Sequence, residues 1–466
     1  MSSTINIIDP VFFNNKSRAE FRLNHEDVAY LSSGCYLALG GYGTNATLNQ
    51  VNYNRRAGIA GMVSSIQLLN GGDVLAQLTD AGSWMAFKSL NKDNADAFSK
   101  QMMSCSASAL MQFGIAHGDQ QEVISDADGI NSNVGGTVVG VRGQPGGSEA
   151  QCSLGYVAIT EFLKELETLR VLPTAIFSNL RLVVQFTSEL TAILQQQTDA
   201  AGTGVVTGFT KVRPILVVES ISDPATISAM ISGMETTRMN CIESDQFSLA
   251  AVAAGRQRLQ QQIRGFNSKI VNRLLIVNRP TDATQGVIQS KADGTVTDTP
   301  KIALDSGSLN SLVQNRLTVN ARVNGSNIFM GQGIGYDDTQ PADGLLGAGN
   351  NHRLACLTDT WGDVAICAGG NSVGLAVPLL SVAGTIDEVV AHKMGSFFYG
   401  SDYTGFRIMD RVSNLEIDYG RSFVDGADDS AIMHSNAVNQ ALDVVVYAEV
   451  PKVLQISGGS YRVAYL

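Results

Sequence analysis

The chain has 466 residues, of which 44% are hydrophobic, only 16% are charged and 47 are glycine. That balance builds a large core, normally in two or three domains, and excludes disorder, which needs low hydrophobicity and high charge. With 32 Lys and Arg against 43 Asp and Glu, the formal charge of -11 argues against nucleic acid as the main partner.

The first 20 residues carry no basic stretch leading into an apolar run, so no signal peptide is expected and synthesis in a cytosol is. Lys16 and Arg18, with Arg22 just beyond, give the chain's start its basic residues, and residues 1–20 are predicted to be an N-terminal arm. Residues 61–78 then give two strand-like runs around Asn70-Gly71-Gly72-Asp73, a tight hairpin whose glycines supply positive φ. Residues 80–100 read as helix or helical turns, with Trp84, Met85 and Phe87 forming an apolar ridge. Residues 117–151, rich in Gly, Ser, Asp and Asn, are predicted to be a long surface excursion.

Ile159, Phe162, Leu163, Leu166 and Leu169 recur with helical period, predicting one helix over 156–169. Glu161, Lys164, Glu165 and Glu167 fill its polar face and Pro173 stops it. A strand follows at 180–187, where Leu180, Leu182, Val184 and Phe186 alternate with more polar residues, and another at 211–221. After 222–237 a second strand series begins: 239–251, the continuous apolar run at 271–280, and Arg316–Phe329 with a turn at Asn324-Gly325. A glycine-rich loop at 331–352, strands at 414–421 and 441–450, and a closing hairpin turning at Ser457–Ser460 complete the chain.

The strands outnumber those of one small barrel, and amphipathic helices are too few for a βαβ series. The predicted fold is mostly β: two tandem β-sandwich domains with few short helices. Its divisions are an arm (1–20), a first domain (21–222) with an insertion at about 117–151, an interdomain segment (223–237) and a second domain (238–466).

Chemistry is not visible in the residue pattern. His25, His117, His352, His392 and His434 have no zinc-like spacing, and HExxH, GxSxG, the P-loop and the strand-linked GxGxxG are absent. The loops 125–129 and 425–429 gather aspartates beside glycine, yet lack the terminal Glu of an EF-hand; plain solvated loop is the simpler reading. Cys35, Cys105, Cys152, Cys241, Cys356 and Cys367 are scattered and read as mostly buried thiols, with no histidine partner evident for Cys35. Glu416 and Asp418 alternate with Leu415, Ile417 and Tyr419, which makes them outward strand positions rather than a catalytic carboxylate pair. The only tryptophans, Trp84 and Trp361, are read as core anchors, Trp361 holding a loop against a barrel end. Arg55-Arg56, Arg256, Arg258 and Arg264 lack an aromatic platform, so specific nucleic-acid binding is not expected. No catalytic, cofactor or metal residue is assigned.

Four stretches carry a resemblance: 54–78 with its early hairpin, 156–169 followed by VLPTAIFSNLRLVVQF, GFRIMDRVSNLEIDYGR at 405–421, and the closing strands at 441–466. On these the chain resembles the double jelly-roll major capsid proteins of tailless icosahedral double-stranded DNA viruses, in the hexon-like lineage and nearest its virophage and polinton-like branch. The resemblance implies a fold of two tandem eight-stranded antiparallel jelly-roll sandwiches, a double jelly roll, and a non-enzymatic shell protein forming homotrimeric, pseudo-hexagonal capsomers in the virion, assembled inside a host cell. Penton and minor or cement proteins would be its partners, with room for an internal membrane and no cofactor. The alternatives are a minor capsid, penton or spike protein, an extracellular carbohydrate-binding or adhesion sandwich, which should show a secretory signal and aromatic platforms, and a β-rich enzyme such as a cupin or glycoside hydrolase.

Overall fold

A computed structural model describes residues 3–23, 28–44, 51–53, 57–88, 103, 140–143, 150–151, 153–198, 208–232, 236–250, 255–280, 286–289, 316–328, 334–335, 356–357, 359–361, 403–423, 442–457 and 460–466. Strand β1 (Ser3–Ile8) is followed by β2 (Arg18–Arg22), β3 (Ala29–Thr44), β4 (Val63–Asn70), β5 (Asp73–Thr79), β6 (Ser153–Ala158), β7 (Leu180–Phe186) and β8 (Ile215–Ile221). These pair in the orders β1-β8-β3-β6 and β2-β7-β4-β5, two sheets between which the chain crosses at every step except the β4–β5 hairpin.

The second series is β9 (Thr236–Leu249), β10 (Gly255–Ile263), β11 (Lys269–Pro280), β12 (Arg316–Val323), β13 (Ser326–Asn327), β14 (Tyr403–Val412), β15 (Leu415–Phe423) and β16 (Leu442–Ser457). Its sheets run β9-β16-β11-β14 and β10-β15-β12-β13. The order of the first sandwich is therefore repeated strand for strand. Each is a jelly roll, and the fold is a double jelly roll. A last strand, β17 (Ser460–Tyr465), pairs with the end of β16 through a turn at Ser457↔Ser460, the hairpin expected from the sequence.

Local chemistry explains the elements. The β4–β5 turn has Gly71 at φ 63°, and the β12–β13 turn has Asn324 and Gly325 at φ 51° and 85°, a conformation that Gly and Asn adopt at least strain. In β7, Leu180, Leu182, Val184 and Phe186 face the core as their alternation predicts. Leu415, Ile417 and Tyr419 do the same in β15, while Glu416 and Asp418 point outward to Arg322 at 3.3 and 3.4 Å.

Two expectations are corrected. The stretch 1–20 is not a free arm, because β1 pairs with β8 along Ser3↔Ile221 to Ile8↔Leu216, and Phe12–Asn14 pairs with β2. Short polar residues masked the strand period there. The helix over 156–169 is also broken. Ser153–Ala158 is strand β6, and only the short helical turns α2 (Ile159–Phe162) and α3 (Glu165–Thr168) follow, as α1 (Ala81–Lys88) does earlier. The backbone bends to extended geometry at Leu163, so the five apolar residues are buried in a compact double turn rather than along one straight stripe. Between the two series lies a helix, Pro224–Ser232.

Candidate functional site: the seam between the two jelly rolls

Sheet β9-β16-β11-β14 of the second jelly roll is covered on both faces along much of β16. In β16 every residue from Val444 to Val450 is buried. Val444, Val446, Ala448 and Val450 face the interior of the second jelly roll. Val445 and Tyr447, with Ile242, Leu275 and Val277, join one continuous core with residues of the first, among them Trp84, Phe87, Phe162 and Leu166. A strand covered on both faces loses its polar alternation, which explains the unbroken run VVVYA at 444–448.

Aromatic side chains fill the centre of the seam. The ring of Trp84 lies 5.8 Å from that of Trp361 and 5.5 Å from that of Tyr447, and Phe87 meets Trp361 edge-on at 5.9 Å. Their polar handles are satisfied: Trp361 Nε1 donates to the Leu274 carbonyl at 2.9 Å and Tyr447 Oη to the Asp80 carbonyl at 2.7 Å. The turn bearing Trp361 rests on Gly405 in β14, where an added Cβ would stand 3.0 Å from the indole and 3.1 Å from the Leu357 backbone. Trp361 thus lies in the seam, its turn resting on the second jelly roll and its ring meeting Trp84 and Phe87 of the first.

Charged residues ring this aromatic centre. Glu449 receives Lys164 from the first jelly roll at 2.7 Å and Arg273 from β11 at 2.6 Å. The Arg273 guanidinium also stacks 4.0 Å from the Trp361 ring centre and donates to the Thr360 carbonyl. Burial alone would raise the Glu449 carboxyl, but Lys164 and Arg273 outweigh it and hold it below the ordinary range. A deeper pair, Glu165 with Lys452 at 3.5 Å, is almost wholly withdrawn from solvent, at 1% and 3% exposure. Here burial wins on the acid and pushes Glu165 up to about 7 against the pull of Lys452. For Lys452, burial is overcome by Cys241, Glu165, Tyr465 and Glu243, so its ammonium is favoured beyond the ordinary lysine value. Glu165, assigned from the sequence to a polar outer face, is buried because the bend after Phe162 turns it into the seam.

The closing strand completes the clamp. Tyr461 of β17 donates to Asp73 at 2.9 Å, accepts from Asn70 at 2.9 Å and packs on Phe177, all in the first jelly roll. Thr79 and Ser244 share a hydrogen bond of 2.5 Å nearby.

This arrangement joins bodies; it does not assemble a reactive group. Among the described residues no three His, Cys, Asp or Glu side chains converge on a metal-sized site. The thiols of Cys35 and Cys241 are pushed up to about 11 and about 12 by burial, the reverse of an activated nucleophile. The five histidines, the loops 125–129 and 425–429, Arg55-Arg56, Cys105, Cys152 and Cys367 lie outside the described residues, as does nearly all of 117–151 and 331–352. Arg258 and Arg264 are exposed, and Arg18 pairs with Glu20 at 3.1 Å. Among the described residues no helix is long and apolar enough to cross a membrane.

Two jelly rolls of one strand order, fused through a buried seam, define a double jelly-roll protein. Comparison of the whole fold extends this. The chain is similar to PBCV-1 VP54 as fitted into a reconstruction of the virophage Sputnik, with TM-score 0.59, 11% identity, and coverage of 100% of this chain and 97% of that one. A PBCV-1 virus capsid chain gives TM-score 0.56 at 10% identity over 100% and 97% of the two chains. The mavirus major capsid protein gives 0.55 at 10% identity over 99% and 90%. No family model matches the sequence, and no curated protein matches it. The fold is shared across these chains although almost nine in ten aligned residues differ.

Proposed function

We propose that this chain is a major capsid protein, a non-enzymatic building block of an icosahedral virion shell, and that three copies form a pseudo-hexagonal capsomer. The observation that carries this reading is the repetition of one jelly-roll order in both halves, in a chain whose fold matches VP54 and the mavirus major capsid protein over nearly its whole length. Two alike barrels per chain turn a three-fold ring into a nearly six-fold tile, which packs a surface without gaps. Two full jelly rolls also favour a tile over a single-barrel penton or minor component. The domain division near 223–237 belongs to the same proposal, with the first domain now beginning at β1.

In this role no residue is catalytic and no cofactor is needed. Penton and minor or cement proteins would contact the rim, and loops within 117–151 or 331–352 would contribute to contacts between copies. The net charge of -11 sets the barrel body against tight binding of the genome. Electron microscopy and sedimentation of the purified chain test the reading. Three-fold particles with a hexagonal outline, or assembled shells, are expected; a stable monomer at every concentration, or tight salt-sensitive binding to duplex DNA, would overturn it.

A further inference from the structure

A cavity of about 250 Å³ opens at the edge of the seam, where β5 of the first jelly roll meets β9, β11 and β17. Gln77 and Thr79 line it from β5, Glu243 and Ser244 from β9, Lys269 from the start of β11 and Tyr465 from the closing strand. The volume falls just below the about 300–1,000 Å³ of pockets that hold drug-sized ligands, which suits a molecule of one ring.

Glu243 is the group left half-satisfied at this cavity. Its side chain is only 9% exposed, and its Oε2 receives Lys269 at 2.5 Å. Its Oε1 is buried and has no hydrogen-bond partner in the chain. The Tyr465 hydroxyl lies near this carboxylate but supplies no bond to Oε1. Lys269 in turn uses two of its three protons, on Glu243 and on the Gly265 carbonyl at 2.9 Å, and the third has no acceptor among the described residues. A buried acceptor without a donor therefore stands beside a donor without an acceptor, and a buried carboxylate oxygen in that position is costly unless something binds it.

We propose that this cavity binds a single neutral sugar ring. The chemistry follows from the ion pair. A cationic ligand meets Lys269 and an anionic one meets Glu243, so net charge of either sign is opposed. A hydroxyl both donates and accepts, and two on neighbouring carbons can give a proton to Glu243 Oε1 while receiving one from Lys269. The Gln77 amide and the Thr79 and Ser244 hydroxyls, the last two already sharing a hydrogen bond, continue this two-way bonding round the cavity. Tyr465, 45% exposed, adds an apolar wall for the ring's carbon face. Because the lining comes from both jelly rolls, an occupied cavity ties them together. The inference goes beyond the shell reading and does not depend on it.

The test is saturation-transfer NMR and calorimetric titration of the full chain with methyl glucoside and methyl galactoside, against glucosamine as the cation and N-acetylneuraminic acid as the anion. A neutral glycoside should bind with a Kd of about 1 mM, the scale of a few hydrogen bonds in an open site, and the charged sugars about 10-fold more weakly or worse. Glu243→Gln removes the charged acceptor and should weaken binding about 10-fold. If that chain melts early, Thr79→Trp, at an exposed position on the cavity, fills it and should abolish binding while melting holds. The filled variant also gives the baseline for the general stabilisation of proteins by polyols, above which the wild type should melt with glycoside present. Maltotriose binding as tightly as methyl glucoside would assign the end of a glycan, and its exclusion a free sugar. No binding of either neutral glycoside at about 100 mM, 100 times the expected Kd, would overturn the site. Binding that survives both variants, or that favours a charged sugar, would overturn it equally.

Discussion

Trp84 and Trp361, the only tryptophans of the chain, meet edge to face across the seam with ring centroids 5.8 Å apart and planes at 71°. One comes from helix α1 of the first jelly roll and the other from a turn laid on the second. Aromatic pairs in this geometry stabilise beyond the area they bury, and both indoles are withdrawn from solvent. Trp84→Ala should cost about 3–5 kcal/mol through the cavity it opens. A double-mutant cycle with Trp361→Ala should show coupling of about 0.5–1.5 kcal/mol in denaturant melts. Additive losses would mean that the rings are neighbours without being partners.

Leu166 is buried in the bent segment that replaces the expected helix. It is buried among residues of the continuous core, close to the sheet of the second jelly roll. Leu166→Asp places a carboxylate there with no water to receive it, and should destabilise by several kcal/mol. The expected result is loss of soluble chain at ordinary temperature, with Leu166→Met nearly neutral as a volume-conserving control. Normal melting of the Asp variant would place this segment at the surface.

How much of this was legible in the sequence depends on range. Period-2 strands with local turns, such as β4–β5 and β7, were readable because one face is wet and the other dry. The buried character of Ile159, Phe162, Leu163, Leu166 and Leu169 was readable too. Their shape was not: a helical spacing also fits a double turn, and burial of Glu165 depends on a partner, Lys452, far along the chain. The seam left one signal that could have been used. VVVYA and LLIV are uninterrupted runs in an otherwise alternating antiparallel protein, and such strands need cover on both faces. The meeting of Trp84 with Trp361 left none, since nothing local to either residue specifies the other.

Glu449 serves two cations from two jelly rolls, so its loss should be felt on both sides. Glu449→Gln leaves Lys164 and Arg273 near the seam without their counter-charge. Removing one member of a fully buried pair costs about 3–5 kcal/mol; these cations keep 21% and 26% of their exposure, so about 2–3 kcal/mol is expected. The carboxyl is held below its unfolded value, so this contribution is present above about pH 4.5 and is lost as pH falls through the folded value. The wild type should therefore lose stability faster than Glu449→Gln on acidification below that point. Parallel acid melts would show that the pair contributes nothing.

Glu165 should act in the opposite sense and in a different window. Burial raises its carboxyl from 4.5 to about 7, so between those values the folded chain holds a proton that the unfolded chain has released. Stability from this group is therefore greatest at the acid end and declines as pH rises from about 4.5 to about 7. The decline is tempered by Lys452, whose ammonium gains a counter-charge as Glu165 ionises. Glu165→Gln keeps the shape and an acceptor for the Gln77 amide while removing the titration, so its melting should be flatter across this window. Glu165→Leu should be worse than Gln at every pH, because it also deprives Lys452 of a hydrogen-bond acceptor in a nearly dry site. Chemical denaturation at half-unit pH steps measures all three chains. If wild type and Glu165→Gln trace parallel curves between pH 4.5 and 7, the carboxyl is not titrating there, and the pair is an ion pair throughout.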